Sequence, residues 1–377
     1  MNSGIEVEEL SDRQFDQFGV EWQECLADSE ADPIFASWPW CHSWWQTWSS
    51  LHALELLLLT VRDNLEIIGI APLYRHRVRR TLGPSGYQLQ FIGNIWRHLT
   101  VRSEHTGFIL RKGRETEAMR AITMHLRSMK WDDMIICDHS PVILDTLGTM
   151  GRKVTLRGQD RGVCIDTTGS FQEWLGSLGS NTRLKLFNRR SYLGGRMRLE
   201  RVAHDDSAGR ESFFRLLCRL HLDRRQAQPE QAEIDFHKRL ADCCETYLKP
   251  VYCVMHVDGK EVSAIYDIHA GGRRYNLHSV FIGDFDKKVS LGTLHLGYAL
   301  EEAFQDPAIH LYDFLVGGGK NSFYKEKLKG NVGYEYSLQT SQVSGNLQHQ
   351  MYIEGHMLVR RFRDLLTASR RQDKPGS

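Results

Sequence analysis

Three runs joined by two dipeptide turns constrain this chain most. Val251–Val257, Glu261–Ile268 and Arg273–Phe281 read as strands, and Asp258-Gly259 and Gly271-Gly272 separate them. Turns of that composition accept the positive φ of a tight hairpin, so the three runs form an antiparallel meander. Leu296, Leu300, Ala303 and Phe304 then mark one face of a helix opening near Ser290. Ile309–Leu315 follows as a buried strand ending in Gly317-Gly318-Gly319. A last alternating run holds Val332, Tyr334, Tyr336 and Leu338.

The first half offers a similar order. Leu54–Arg62 and Leu65–Tyr74 read as strands joined at Asp63-Asn64. After a stretch punctuated by Gly83, Gly86 and Gly93, Met119, Ile122, Leu126 and Met129 share a helical face, and Met134–Cys137 is a short buried strand. Each half thus gives a hairpin, a helix and a strand ending at an aspartate, Asp138 or Asp313. Residue identities differ, so only the architecture repeats. Upstream, Trp40, Trp44 and Trp48 follow Pro39 at four-residue spacing, a face best explained by packing in a core.

Between the halves, Ser170 and Glu173 form a capping box for a helix carrying Phe171, Trp174, Leu175 and Leu178. A basic helix over about Asn181–Leu193 ends at Gly194-Gly195, and Arg196–Ala203 reads as a strand. Phe214, Leu217 and His221 share a helical face before Arg224-Arg225. These patterns, over 377 residues, predict an α+β (α/β) fold of two domains, 1–160 and 161–345, with the boundary near 150–168. A basic helix over Met351–Leu366 and a tail fill 346–377.

Charge narrows the partners. Lys plus Arg (48) nearly cancels Asp plus Glu (47), so no global field favours DNA or an anionic membrane. The opening MNSGIEVEEL lacks a basic and an apolar signal region, and Leu56–Val61 is too short to span a bilayer. Eight cysteines without CxxC spacing suit a reducing compartment, and the histidines show no HExxH pattern. The expectation is a cytoplasmic, soluble protein without a metal.

Four segments carry a family resemblance. They are the helix with Asn181, Arg183, Arg189 and Arg190; Leu220-His221-Leu222-Asp223-Arg224-Arg225; Ser290-Leu291-Gly292-Thr293-Leu294; and Tyr312-Asp313-Phe314-Leu315 with Tyr324-Lys325. In that order, after the meander, they resemble the GNAT acyltransferase superfamily, and more narrowly the bacterial CelD/BcsL-like acetyltransferases linked to cellulose and exopolysaccharide biosynthesis. The resemblance implies two tandem GNAT-like domains with mixed, mostly antiparallel sheets flanked by helices. It implies acyl-CoA, acetyl-CoA first, as co-substrate, and a sugar or related small molecule as acceptor through an amine or hydroxyl.

Acyl transfer needs a grip on the donor, a base for the acceptor, support for the oxyanion and a proton for the leaving thiolate. Unpaired N–H groups around Gly292-Thr293, with Ser290, Lys287 and Lys288, suit phosphate; the plain alternative is a capped helix with exposed lysines. Asp313 is either a base of raised pKa or the partner of Arg190, Arg224 or Lys325. Tyr324, by the resemblance, donates a proton to the departing sulfur; otherwise it is a half-buried aromatic. His221 is a core histidine or a base. Arg183, Arg190, Arg224, Lys320 and Lys325 are candidates for an anionic acceptor or are solvated charges. Two rival functions remain: a Fem-type aminoacyl- or peptidyltransferase using charged tRNA, and a non-catalytic acyl-CoA-binding scaffold or sensor.

Overall fold

A computed structural model describes residues 4–78, 86–151, 153–225, 231–243, 247–317, 322–347, 350, 351 and 355. The first half runs β1 (Ile5–Leu10), α1 (Asp12–Gln17), α2 (Gly19–Ala27), α3 (Trp38–Trp48), β2 (Glu55–Asp63), β3 (Glu66–Val78), β4 (Gly86–Phe91), β5 (Ile109–Leu110), α4 (Glu115–Ser128), β6 (Asp133–His139), α5 (Leu144–Met150) and β7 (Lys153–Asp166). The second half starts with α6 (Phe171–Ser177), α7 (Ser180–Arg183), a π-helical turn (Leu184–Asn188), α8 (Arg189–Leu193) and β8 (Met197–Val202). It continues with α9 (Ser207–Arg225), α10 (Gln231–Cys243), β9 (Lys249–Val257), β10 (Lys260–Ala270), β11 (Arg273–Phe281), α11 (Leu291–Gln305), β12 (Leu311–Val316), α12 (Ser322–Leu328) and β13 (Gly333–Ser344).

The hairpins close as their turn residues dictate. Asn64 sits at φ 55°, Asp258 and Gly259 at 51° and 75°, and Gly271 and Gly272 at 55° and 75°. Ser37 caps α3 by accepting from the Trp40 N–H, with Pro39 in its first turn. Trp40, Trp44 and Trp48 are buried, as core packing requires. Trp40 and Trp48 lie 4.9 and 5.3 Å from the Phe236 ring of α10, so this face of the first half packs on the second.

All strands join one sheet, in the order β1-β2-β3-β4-β6-β13-β7-β12-β11-β10-β9-β8, with β5 beside β3. Its two arms match: an antiparallel run leads to a helix and then a parallel partner, β4 with β6 and β11 with β12. Every other pair is antiparallel. The arms exchange strands at the centre. β7 closes the first half in sequence yet pairs with β12, and β13 closes the second yet pairs with β6 through Gln339–Ser344. β7 and β13 pair along their full length, Lys153↔Ser344 to Ile165↔Gly333. The segment 150–168 therefore contributes a central strand. The closing helix expected over 351–366 lies outside the described residues except at 351 and 355. Among the described residues no helix is long and apolar enough to cross a membrane.

Candidate active site

β11 and β12 pair only over Arg273↔Leu311, Arg274↔Tyr312 and Tyr275↔Asp313. β11 then continues to Phe281 and β12 bends away, with Leu315 at φ 60°. Its pairing with β7 slips over the same stretch, between Asp313 and Val316. A left-handed leucine is costly. It is held because its N–H donates to Asp313 Oδ1 at 2.8 Å and its carbonyl accepts from Lys325 Nζ at 2.8 Å. Where the strands part, a cleft of about 670 Å³ opens, lined by Asn276–Ser279, Phe281, Phe314–Gly317, Ser290, Gly292, Thr293, Lys325 and, from the first half, Trp40, Arg102 and Glu104.

The start of α11 forms one wall. Ser290 precedes it in extended conformation but makes no side-chain cap bond to the backbone, and its hydroxyl lies 3.0 Å from that of Thr293. Ser290, Gly292 and Thr293 line the cleft, so the first turn and the positive end of the helix dipole lie beside it. Gly292 has a packing reason: a Cβ there would lie 2.2 Å from the Phe281 ring. Lys287 and Lys288 are exposed on the preceding loop, and Lys288 Nζ stands 5.4 Å over Tyr192.

The opposite wall holds a buried carboxyl pair. Glu104 is 3% exposed, and the Val316 N–H donates to its two oxygens at 2.9 and 3.0 Å. Burial first, then the nearby Asp313 charge, push Glu104 up to about 8. Asp313 itself is fully buried behind the cleft. The Tyr336 hydroxyl bridges them, 3.2 Å from Glu104 Oε2 and 2.9 Å from Asp313 Oδ1. One hydroxyl proton cannot serve both carboxylates, so a neutral Glu104 donating to Tyr336, which donates to Asp313, satisfies all three.

Asp313 pairs with neither Arg190 nor Lys325. Its Oδ2 lies 3.7 Å from Arg273 Nη1, which is equally far from Asp32. Lys325 is held against β12 by its bonds to the Phe314 (2.6 Å) and Leu315 carbonyls. Burial pulls its pKa down, against the pull of Glu104 and Asp313.

The remaining candidates either do not line this cleft or have side chains outside the described residues. Arg190 pairs with Glu301 and lies 3.7 Å over the Tyr298 ring, a packing role. Arg183 donates to the Gly176 carbonyl at 2.8 Å. His221 is buried on α9, edge-on to His278 with ring centroids 5.9 Å apart. The backbones of Arg224 and Tyr324 lie in α9 and α12, but their side chains, and all of Lys320, fall outside the described residues.

The structure thus gathers Ser290, Gly292, Thr293 and Lys325, with Asp313 one hydrogen bond behind. It adds Glu104 and Tyr336, which sequence reasoning missed. Glu104 comes from a loop over 200 residues away, next to Arg102, whose guanidinium binds Asp138. Arg97 and His105 of this loop have positive φ, 67° and 51°, a backbone feature invisible in sequence.

Residues 180–326 match the family model described as "Acetyltransferase (GNAT) domain". No curated protein matches the chain by sequence. Among solved structures, FemX is similar with a TM-score of 0.61 at 13% identity, over 93% of this chain and 100% of that one. The C-terminal domain of a putative lysylphosphatidylglycerol synthetase from Agrobacterium fabrum gives 0.54 at 10% identity, over 93% and 98%. L-PGS from Bacillus licheniformis gives 0.51 at 12%, over 92% and 96%. At these identities the likeness concerns the fold, and it extends over both halves. With the family match and the parted β11 and β12, the conclusion is that this chain carries a GNAT acetyltransferase domain in its second half.

Proposed function

We propose that the chain is an acyltransferase that takes an acyl group, acetyl first, from acyl-CoA and passes it to an amine or hydroxyl of a sugar or related metabolite, in the setting of polysaccharide assembly. The observation that carries this reading is the parting of β11 and β12 beside the uncapped start of α11. GNAT sheets splay at this place to admit the pantetheine arm. On its β12 side, β11 beyond Tyr275 pairs with no strand among the described residues, and this edge suits an amide-bearing chain. The α11 N–H groups, with the Ser290 and Thr293 hydroxyls, suit the pyrophosphate, and Lys287 and Lys288 add charge at the approach.

In the reaction, Glu104 first releases its own proton to solvent, as a carboxyl raised to about 8 does in a minority of molecules at neutral pH. It then takes the acceptor's N–H or O–H proton while the acceptor atom bonds to the thioester carbon. The C–S bond then breaks, and Tyr324 on α12 gives the thiolate its proton. Asp313 and Tyr336 tune Glu104 rather than touch substrate. A carboxyl poised near 8 is suited to both holding and releasing a proton at neutral pH.

A panel of acyl-CoAs, with charged tRNA as the rival donor, tests the reading by calorimetry and single-turnover transfer. Acyl-CoA binding with transfer to an amino sugar or a hydroxyl acceptor is expected. Transfer only from charged tRNA would replace this reading with the Fem-type one. Tight acyl-CoA binding without turnover for any acceptor would point to a sensor.

A further inference from the structure

The same cleft holds a second cluster that the acyl-transfer groups do not use. Glu233 and His237 stand one turn apart on α10, and His278 faces them from β11. One donor atom from each lies within 4.8 Å of the others. His278 Nε2 is 3.2 Å from His237 Nε2 and 3.7 Å from Glu233 Oε1. All three line the cleft with Ser290 and Thr293. We propose that Glu233, His237 and His278 form a three-ligand site for a divalent transition cation, Zn²⁺ by its donor set, with an open position toward the cleft.

Two imidazoles and a carboxylate are a donor set that suits Zn²⁺ and leaves a fourth tetrahedral position vacant. Nitrogens bound at about 2.05 Å in a tetrahedral arrangement stand ~3.3 Å apart, close to the spacing of the two rings here. His237 is 3% exposed, and its Nδ1 has no hydrogen-bond partner among the described residues. Among the described residues the ring's hydrogen-bonding contact is at its Nε2, 3.2 Å from His278 Nε2, on the side where the other two donors lie. Glu233 is about a third exposed at the cleft edge, with its Oε1 3.7 Å from His278 Nε2. His221 bounds the site from α9. An ion here would take the acceptor's hydroxyl or amine in its open position and ease loss of the proton. That use, unlike the site itself, rests on the acyl-transfer reading.

The test is titration of Zn²⁺ into chelator-stripped full-length chain, with Co²⁺ as an absorbance probe. One ion per chain and intense four-coordinate Co²⁺ bands are expected. His278→Ala and Glu233→Gln should each weaken binding at least about tenfold. His98→Ala, at an exposed residue in the separate group with His52 and His76, should not. If His278→Ala misfolds, Glu233→Gln, at a position about a third exposed, carries the comparison. Binding no tighter than millimolar, or affinity that ignores both substitutions or follows His98, would overturn the site. Acetyl-CoA titrated into the stripped chain separates the two claims. Its binding without a Zn²⁺ site overturns this inference alone, whereas Zn²⁺ binding without acetyl-CoA binding keeps the site and overturns the donor reading.

Discussion

Glu104 and Asp313 face almost the same surroundings and do different work. The Glu104 carboxyl is pushed from the ordinary 4.5 to about 8, so the folded state holds its proton where the unfolded state has lost it. Its contribution to stability is full below about pH 4.5 and is lost as pH rises through 8, at ~1.4 kcal/mol per pH unit in between. Glu104→Gln should therefore have a flatter Tm profile between pH 5 and 8 than the parent, and should lose acyl transfer. Parallel Tm profiles would contradict the assigned protonation. Asp313→Asn removes one partner of a buried charge pair beside Arg273 and should cost about 3 kcal/mol, seen as a lower denaturation midpoint. Tyr324→Phe should instead lower kcat and leave Tm in place; equal kcat would remove Tyr324 from the chemistry. Sequence pointed to Asp313 because a charge ending an apolar strand needs an explanation. It could not name Arg273 or Tyr336 as the explanation, since register across non-neighbouring strands decides who meets whom.

At the scale of elements, what could be read depended on local periodicity. The meander was legible to the residue at Arg273–Phe281, whose start the paired turn glycines Gly271-Gly272 fix. The basic helix appeared where expected, though a π-helical turn over Leu184–Asn188 interrupts it. β7 was not legible. Only Gly162–Ile165 are buried in it, and its polar, glycine-containing remainder reads as a linker until β13 lies alongside. α10, with the metal-site candidates, was also missed, and so the site was missed with it. Gly162 shows how β7 serves the cleft: a Cβ there would lie 2.2 Å from Tyr336 Cζ. Gly162→Ala should push the Tyr336 hydroxyl out of the Glu104–Asp313 bridge, lowering both Tm and activity. A crystal structure of the variant with that bridge intact would contradict this.

For the whole molecule, the repeat of architecture seen in the sequence is real in the sheet, whose arms mirror each other about β13 and β7. Sequence reasoning could not show that the arms trade their last strands, because each exchanged strand pairs far from its own half. The exchange, with α3 packed on α10, should make the two halves one cooperative unit. Calorimetry should give a single transition with equal calorimetric and van't Hoff enthalpies; two resolved transitions would mean independent domains. The cleft uses this union, since Glu104 comes from one arm and the start of α11 from the other. The most direct measurement of the account compares acetyl-CoA affinity and Tm in the parent and in Thr293→Glu. Glutamate three residues after Ser290 completes a capping box and suits the helix dipole, so Tm should hold or rise slightly. The same charge sits where the donor's phosphates are placed, so affinity should fall at least about tenfold, some 1.4 kcal/mol. A stable variant that binds acetyl-CoA as tightly as the parent would contradict the placement of the donor in this cleft.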